Sequence, residues 1–260
     1  MNTTQIAATA GAILMFLILY LGFDKIPPSG RDLEKSRMLQ MESTSVSNLI
    51  REATSGMSGE QKSIIEALEL DLSKAGTDTI KLLRVLETMA GSWYNMGFSA
   101  ISGNYAEEIA KIQKTEASWS IAGTTYALCI NQNESEKIRN FCFKRAINAF
   151  ERAISINPEK IEPRINLAVC YTDFPLPDEP MKGILMLREL NEKHPKNVQV
   201  LNQLGRLALK TSQFERAVER LEEAYSIDPE NKNTVCLLAD AYKNAGNAAK
   251  AGEFEKKCLN

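Results

Sequence analysis

VQVLNQLGRLALKTSQFERAVERLEEAYSIDPEN, residues 198–231, carries the pattern that decides the fold. Leu201, Leu204, Gly205 and Ala208 share one face of a helix, because positions three and four apart are neighbours at 3.6 residues per turn. Thr211-Ser212-Gln213 interrupts the stripe, and Phe214, Ala217, Val218, Leu221, Ala224 and Tyr225 resume it. The second stripe stops at Asp228-Pro229, where proline removes a helical N–H and clashes with the preceding turn. The reading is two antiparallel helices joined by a tight turn. Gly205 and Ala217 fall where such a pair would touch, and small side chains there permit close approach.

The same offsets recur on both sides. From Lys232, Leu238-Ala239 stand in place of Leu204-Gly205, Tyr242 follows, Gly246 marks the turn and Ala251 the small place of the second helix. Residues 161–197 give Leu167-Ala168, Tyr171, Gly183, Leu187, Leu190 and Pro195, with three surplus residues assigned to a loop within Phe174–Pro180. Residues 116–160 give Trp119-x-x-Ala122-Gly123-x-x-Tyr126 and then Ala146, Phe150, Ala153 and Pro158. In that unit 39 positions separate Trp119 from Pro158, 11 more than in the pattern, and longer helices would absorb them.

These motifs resemble the tetratricopeptide repeat, a 34-residue helix–turn–helix unit with a W-x2-L-G-x2-Y…A-x3-F…P pattern. Residues 198–231 have that length without adjustment. The resemblance covers residues 116–260 as four units, 116–160, 161–197, 198–231 and a truncated 232–260. It implies an all-α fold, a helix–turn–helix TPR solenoid in which each unit buries its apolar face against its neighbours. Upstream, residues 59–115 read as further helices, one amphipathic from Glu60 to Lys74 and one starting near Thr77-Asp78. Trp93-x-x-Met96-Gly97-x-x-Ala100 echoes the first-helix pattern, followed by Tyr105-Ala106-x-x-Ile109-Ala110. Taken so, it is either a shortened, degenerate repeat or an unrelated helical pair.

Residues 6–23 contain no charge and as a helix reach about 27 Å, close to the hydrocarbon thickness of a bilayer. The leading MNTTQ has no Lys or Arg, and LGFDKIPPS offers no small-x-small cleavage site, so an uncleaved transmembrane helix is expected rather than a signal peptide. Gly11 and Gly22 are too far apart for a helix-dimerising G-x-x-x-G face, and no oligomeric state is assigned. Lys25, Arg31, Lys35 and Arg37 follow the span, and the positive-inside rule places the repeats in the cytoplasm of a single-pass inner-membrane protein. Residues 24–58 are polar and read as a juxtamembrane linker. Five cysteines at unpaired spacings suit thiols in a reducing compartment, though Cys236 and Cys258 could meet within the last unit.

Chemistry is sparse. The single histidine, His194, precedes a closing proline and suits a helix end; without a second His or clustered Cys there is no metal ligand set. No phosphate-binding glycine loop and no nucleophile elbow occur, so no catalytic, cofactor-binding or metal residues are assigned and an enzyme is not expected. With 31 basic against 33 acidic residues, nothing points to nucleic acid. The resemblance implies instead a concave groove lined by first helices, at the second, fifth, ninth, twelfth and thirteenth places of each unit. In the third unit these are Gln199, Asn202, Arg206, Leu209 and Lys210, and in the fourth Asn233, Cys236, Asp240, Lys243 and Asn244. The first two units supply Ala117, Ser120, Thr124, Glu162, Ile165 and Val169, a less polar floor. Asn202, Arg206, Lys210, Asp240, Lys243 and Asn244 are the expected partner-binding residues, the basic and amide groups suiting a carboxylate or acidic peptide. The expected function is a membrane-anchored scaffold for a protein or peptide partner; the alternative is an exported, periplasmic repeat protein assisting envelope assembly or secretion.

Overall fold

A computed structural model describes residues 45–132 and 135–259. Among them every regular element is a helix. The expected membrane span, residues 6–23, and most of the linker lie outside the described residues. Among the described residues no helix is long and apolar enough to cross a membrane.

Helix α1 (Val46–Ser55) and α2 (Gly59–Ala75) come first, then α3 (Thr79–Asn95) and α4 (Ser99–Gln113). The repeat region continues as α5 (Glu116–Asn131), α6 (Glu136–Ile156), α7 (Glu162–Asp173) and α8 (Lys182–Lys193). It closes with α9 (Val198–Lys210), α10 (Phe214–Ile227), α11 (Lys232–Asn244) and α12 (Ala248–Leu259). Short polar residues start most of these helices by satisfying N–H groups that lack an intrahelical partner. Ser58 and Gln61 form a reciprocal capping box on α2, Asp78 accepts from Ile80 and Lys81, and Asn197 and Asn231 cap α9 and α11.

From α3 onward consecutive helices pair as hairpins: α3/α4, α5/α6, α7/α8, α9/α10 and α11/α12. The small residues act as their positions suggested. A Cβ on Gly205 would stand 2.6 Å from Leu221, and one on Gly123 would stand 2.6 Å from the Phe150 ring. Leu221 is fully buried as a result, an apolar contribution of about 1.5–3 kcal/mol. The surplus of the first full unit lies in its helices, 16 residues in α5 and 21 in α6, against 13 and 14 in α9 and α10. That of the next lies in the loop before Lys182.

Three features depart from the sequence reading. Trp93 does not occupy a mid-helix place in a shortened unit; it ends α3 at a turn. Phe98 N–H donates to Trp93 O (2.9 Å), as Gln213 donates to Ala208 O (2.8 Å) and Asn247 to Tyr242 O (2.9 Å). Trp93 is therefore equivalent to Ala208 and Tyr242, Gly97 (φ 86°) to Gly246 (φ 78°), and Ser102 to Ala217 and Ala251. In that register α3/α4 is a hairpin of the same kind as the others, and Trp93 takes the place of Tyr126 and Tyr242, seven residues on from the place of Trp119 to which the Trp-x-x-Met-Gly match assigns it.

The end of the linker is also more than a tether, since Leu49, Ala53 and Met57 recur every fourth residue and are buried in the core with Met89, Trp93 and Ile101. Finally, four of the five cysteines are not thiols. Cys129 bonds Cys142 and Cys236 bonds Cys258, while Cys170 remains free and buried. Antiparallel pairing brings the ends of each hairpin together, which sequence spacing does not reveal.

Candidate functional site

The first helices of successive hairpins pack directly on one another, α5 on α7, α7 on α9 and α9 on α11. The second helices α6, α8, α10 and α12 stand further apart. A stack crowded on one side and splayed on the other curves toward the crowded side, so the first helices line the inner face.

At the middle of that face lies Asp173, the last residue of α7, whose side chain is only 8% exposed. Arg206 on α9 reaches it with both terminal nitrogens, at 3.4 and 3.5 Å, and Lys210 one turn later approaches at 3.8 Å. Lys210 also approaches the Thr172 carbonyl at 3.5 Å, and Asn131 of α5 donates to Asp173 at 3.5 Å. Gln203 accepts from Arg206 Nε at 2.9 Å and fixes the plane of the guanidinium. One carboxylate thus gathers groups from α5, α7 and α9. Two cations against one carboxylate leave a positive surplus, and both cations keep outward faces, with side-chain exposures of 41% and 59%. Such a site can take a second carboxylate by charge-assisted hydrogen bonds, screened by solvent on the open side.

The other expected residues divide. Lys243 is exposed on α11 and pairs with no acid among the described residues; Asp240 is exposed beside it. Asn244 donates to the Asp240 carbonyl of its own helix at 2.7 Å. Asn202 is corrected: at 2% exposure it is no ligand-facing residue. Its carbonyl accepts from the Thr234 hydroxyl at 2.9 Å and its amide points to Asn231 Oδ1 at 3.5 Å, tying α9 to the start of α11. Ile165, at the same fifth place, is likewise buried, and Cys236 is engaged with Cys258. Asp173 was missed, yet it is the thirteenth residue of the unit beginning at 161, and extending the same count to Thr172 and Asp173 would have found it.

Two further hollows flank the array. One of about 360 Å³ lies between α3, α4 and α5, lined by Glu87, Gly91, Tyr94, Ala106, Ile121 and Thr125; Tyr94 and Ile121 are well exposed. The other, about 660 Å³, opens between α8, α9 and α10, with Ile184, Arg188, Asn191, Leu207, Arg216 and Arg220 on its walls. His194 follows α8, and its backbone N–H caps the Leu190 carbonyl. Among the described residues no cluster of His, Cys, Asp or Glu is arranged to hold a metal ion.

Comparison with known proteins places residues 208–254 in a match to the tetratricopeptide repeat family. No curated protein matches the chain. Among solved structures, the crystal structure of MamA protein aligns at 16% identity and a TM-score of 0.41, over 68% of this chain and 90% of that one. MamA from Desulfovibrio magneticus RS-1, residue 41 to its end, aligns at 15% identity and a TM-score of 0.42, over 68% of this chain and 93% of that one. YrrB, described as a TPR protein with an unusual peptide-binding site, aligns at 14% identity and a TM-score of 0.38, over 74% of this chain and 91% of that one.

Proposed function

We propose that the chain is a membrane-tethered repeat scaffold that holds an acidic segment of a protein partner against the inner face of its array. The observation that carries this reading is the Asp173 cluster, where Arg206 and Lys210 share one covered carboxylate and keep charge turned outward. Lys243 extends the basic strip onto the next first helix, and Asp240 beside it selects against unbroken runs of acid. Residues 6–23 are the tether, and the protein acts by placing its partner at a membrane rather than by chemistry of its own.

In support of a cytoplasmic array, Lys25, Arg31, Lys35 and Arg37 follow the uncharged stretch, as the positive-inside rule favours. The specific observation favouring a second reading, an exported array serving envelope assembly or secretion, is the pair of disulfides.

Crosslinked capture from membranes tests the groove. The intact chain is compared with a Lys210→Glu/Lys243→Glu variant, Arg206 being retained because it neutralises Asp173. An Arg188→Glu variant, on a wall of the 660 Å³ hollow, is the control. The groove reading expects the double variant to lose the partner roughly tenfold or more, equivalent to about 1.4 kcal/mol, while the control keeps it. Equal capture by all three proteins would remove the groove assignment.

A further inference from the structure

Four of the five cysteines stand on different helices at spacings that specify nothing, yet folding brings them together as two pairs of one kind. Cys129 on α5 meets Cys142 on α6 with their Cα atoms 6.1 Å apart. Cys236 on α11 meets Cys258 on α12 with their Cα atoms 4.9 Å apart. Both separations lie in the range a disulfide spans without backbone movement. Each bond joins the first helix of a hairpin to the second helix of the same hairpin.

The places matter. Cys129 and Cys142 are fully buried where α5 and α6 run beyond the length of the other units, and the bond clamps the two long helices near their joined ends. Cys258 lies in the last turns of α12, which packs on α11 and, among the described residues, is covered by no further hairpin. A crosslink there fastens α12 to the helix on which it packs.

We infer that both pairs are oxidised in the working protein, so that the repeat array matures outside the reducing cytoplasm with two disulfides and one thiol. This rests on the exported reading and sets the flanking-charge orientation aside. The oxidant is a protein disulfide of the thiol-oxidising class. A cysteine thiolate attacks one of its sulfurs and forms a mixed disulfide, and the second cysteine displaces it. Each pair gives up two electrons and two protons, and the oxidant leaves as a dithiol.

The two pairs differ in access. Cys236 and Cys258 are partly exposed and can exchange in the folded array, whereas Cys129 and Cys142 are covered and must be joined before their hairpin closes. Cys170 lies 2% exposed in the core, and burial pushes its thiol up to about 12. It stays protonated and shielded, and does not compete for either pair.

The test uses the full chain in a Gram-negative host. Cells are quenched in acid, and thiols are tagged with a maleimide polymer before or after reduction under denaturing conditions. The wild type is expected to carry one tag before reduction and five after it. Cys170→Ser is expected to carry none before and four after, and Cys236→Ser two before and four after, because Cys258 is released. Five tags on the unreduced wild type would overturn the inference. Location is read separately, by protease digestion of the repeats in spheroplasts. Digested but fully reduced repeats would refute the disulfides and spare the exported reading. Protected repeats would refute that reading and this inference together.

Discussion

Glu107 shows how much one residue settles in this array. It lies on α4 at 7% exposure, accepts the Tyr126 hydroxyl of α5 at 3.0 Å, and meets Arg145 of α6 at 2.9 and 3.1 Å. Three helices from two hairpins converge on it. Burial alone would raise its pKa, but Arg145, Lys111 and the Tyr126 hydroxyl together hold it below its ordinary 4.5. A carboxylate depressed on folding contributes stability that is complete above the unfolded pKa and is lost as pH falls through the folded one. Glu107→Gln is expected to cost about 1.5–3 kcal/mol near neutrality, the range for a hydrogen-bonded charge. The difference between the two proteins should shrink as pH is lowered below 4.5, and denaturant titrations at several pH values would show it. A gap that stayed constant down to strong acid would mean the carboxylate's charge contributes nothing. Asp173 is the converging carboxylate of the inner face, itself covered while the Arg206 and Lys210 side chains that meet it stay partly open to solvent.

At the scale of the element, the glycines decide how closely hairpins close. Gly183 at the start of α8 is the tightest case, because a Cβ there would stand 2.6 Å from both the Ala168 carbonyl oxygen and the Thr172 nitrogen of α7. Backbone cannot rotate away as a side chain can. Gly183→Ala is expected to destabilise the array by about 1–3 kcal/mol despite the better helix propensity of alanine. Gly91, with open space around it, should gain from the same change, and comparing the two melting temperatures separates crowding from propensity. These hairpins were legible because their signals are local: a 3.6-residue stripe, a small residue at the contact, a proline at the end. The α3/α4 hairpin was seen but phased wrongly. A tryptophan four residues before a glycine suits the end of a first helix, and the consensus match drew it to the middle. Asp173 lay within reach of the groove count, and the Cys236–Cys258 pair within reach of the last unit; the Cys129–Cys142 bond depends on which helix faces lie against each other, and helical periodicity says nothing of that.

For the whole molecule, the consequence of stacking is a difference between two faces. First helices crowd together and present Arg206, Lys210 and Lys243, while second helices splay and leave the hollow around Arg188 and Arg216. Asn202, expected to bind a partner, instead joins consecutive first helices and keeps the inner face continuous. Part of the predicted groove is therefore structure, and the remaining charges are what a partner can meet. Lysine acetylation footprinting of the captured complex tests this most directly. Lys210 and Lys243 are expected to lose reactivity on partner binding, while Lys193, exposed at the end of the second helix α8, keeps it. Protection of Lys193 with Lys210 and Lys243 still reactive would place the partner on the outer face and contradict the account.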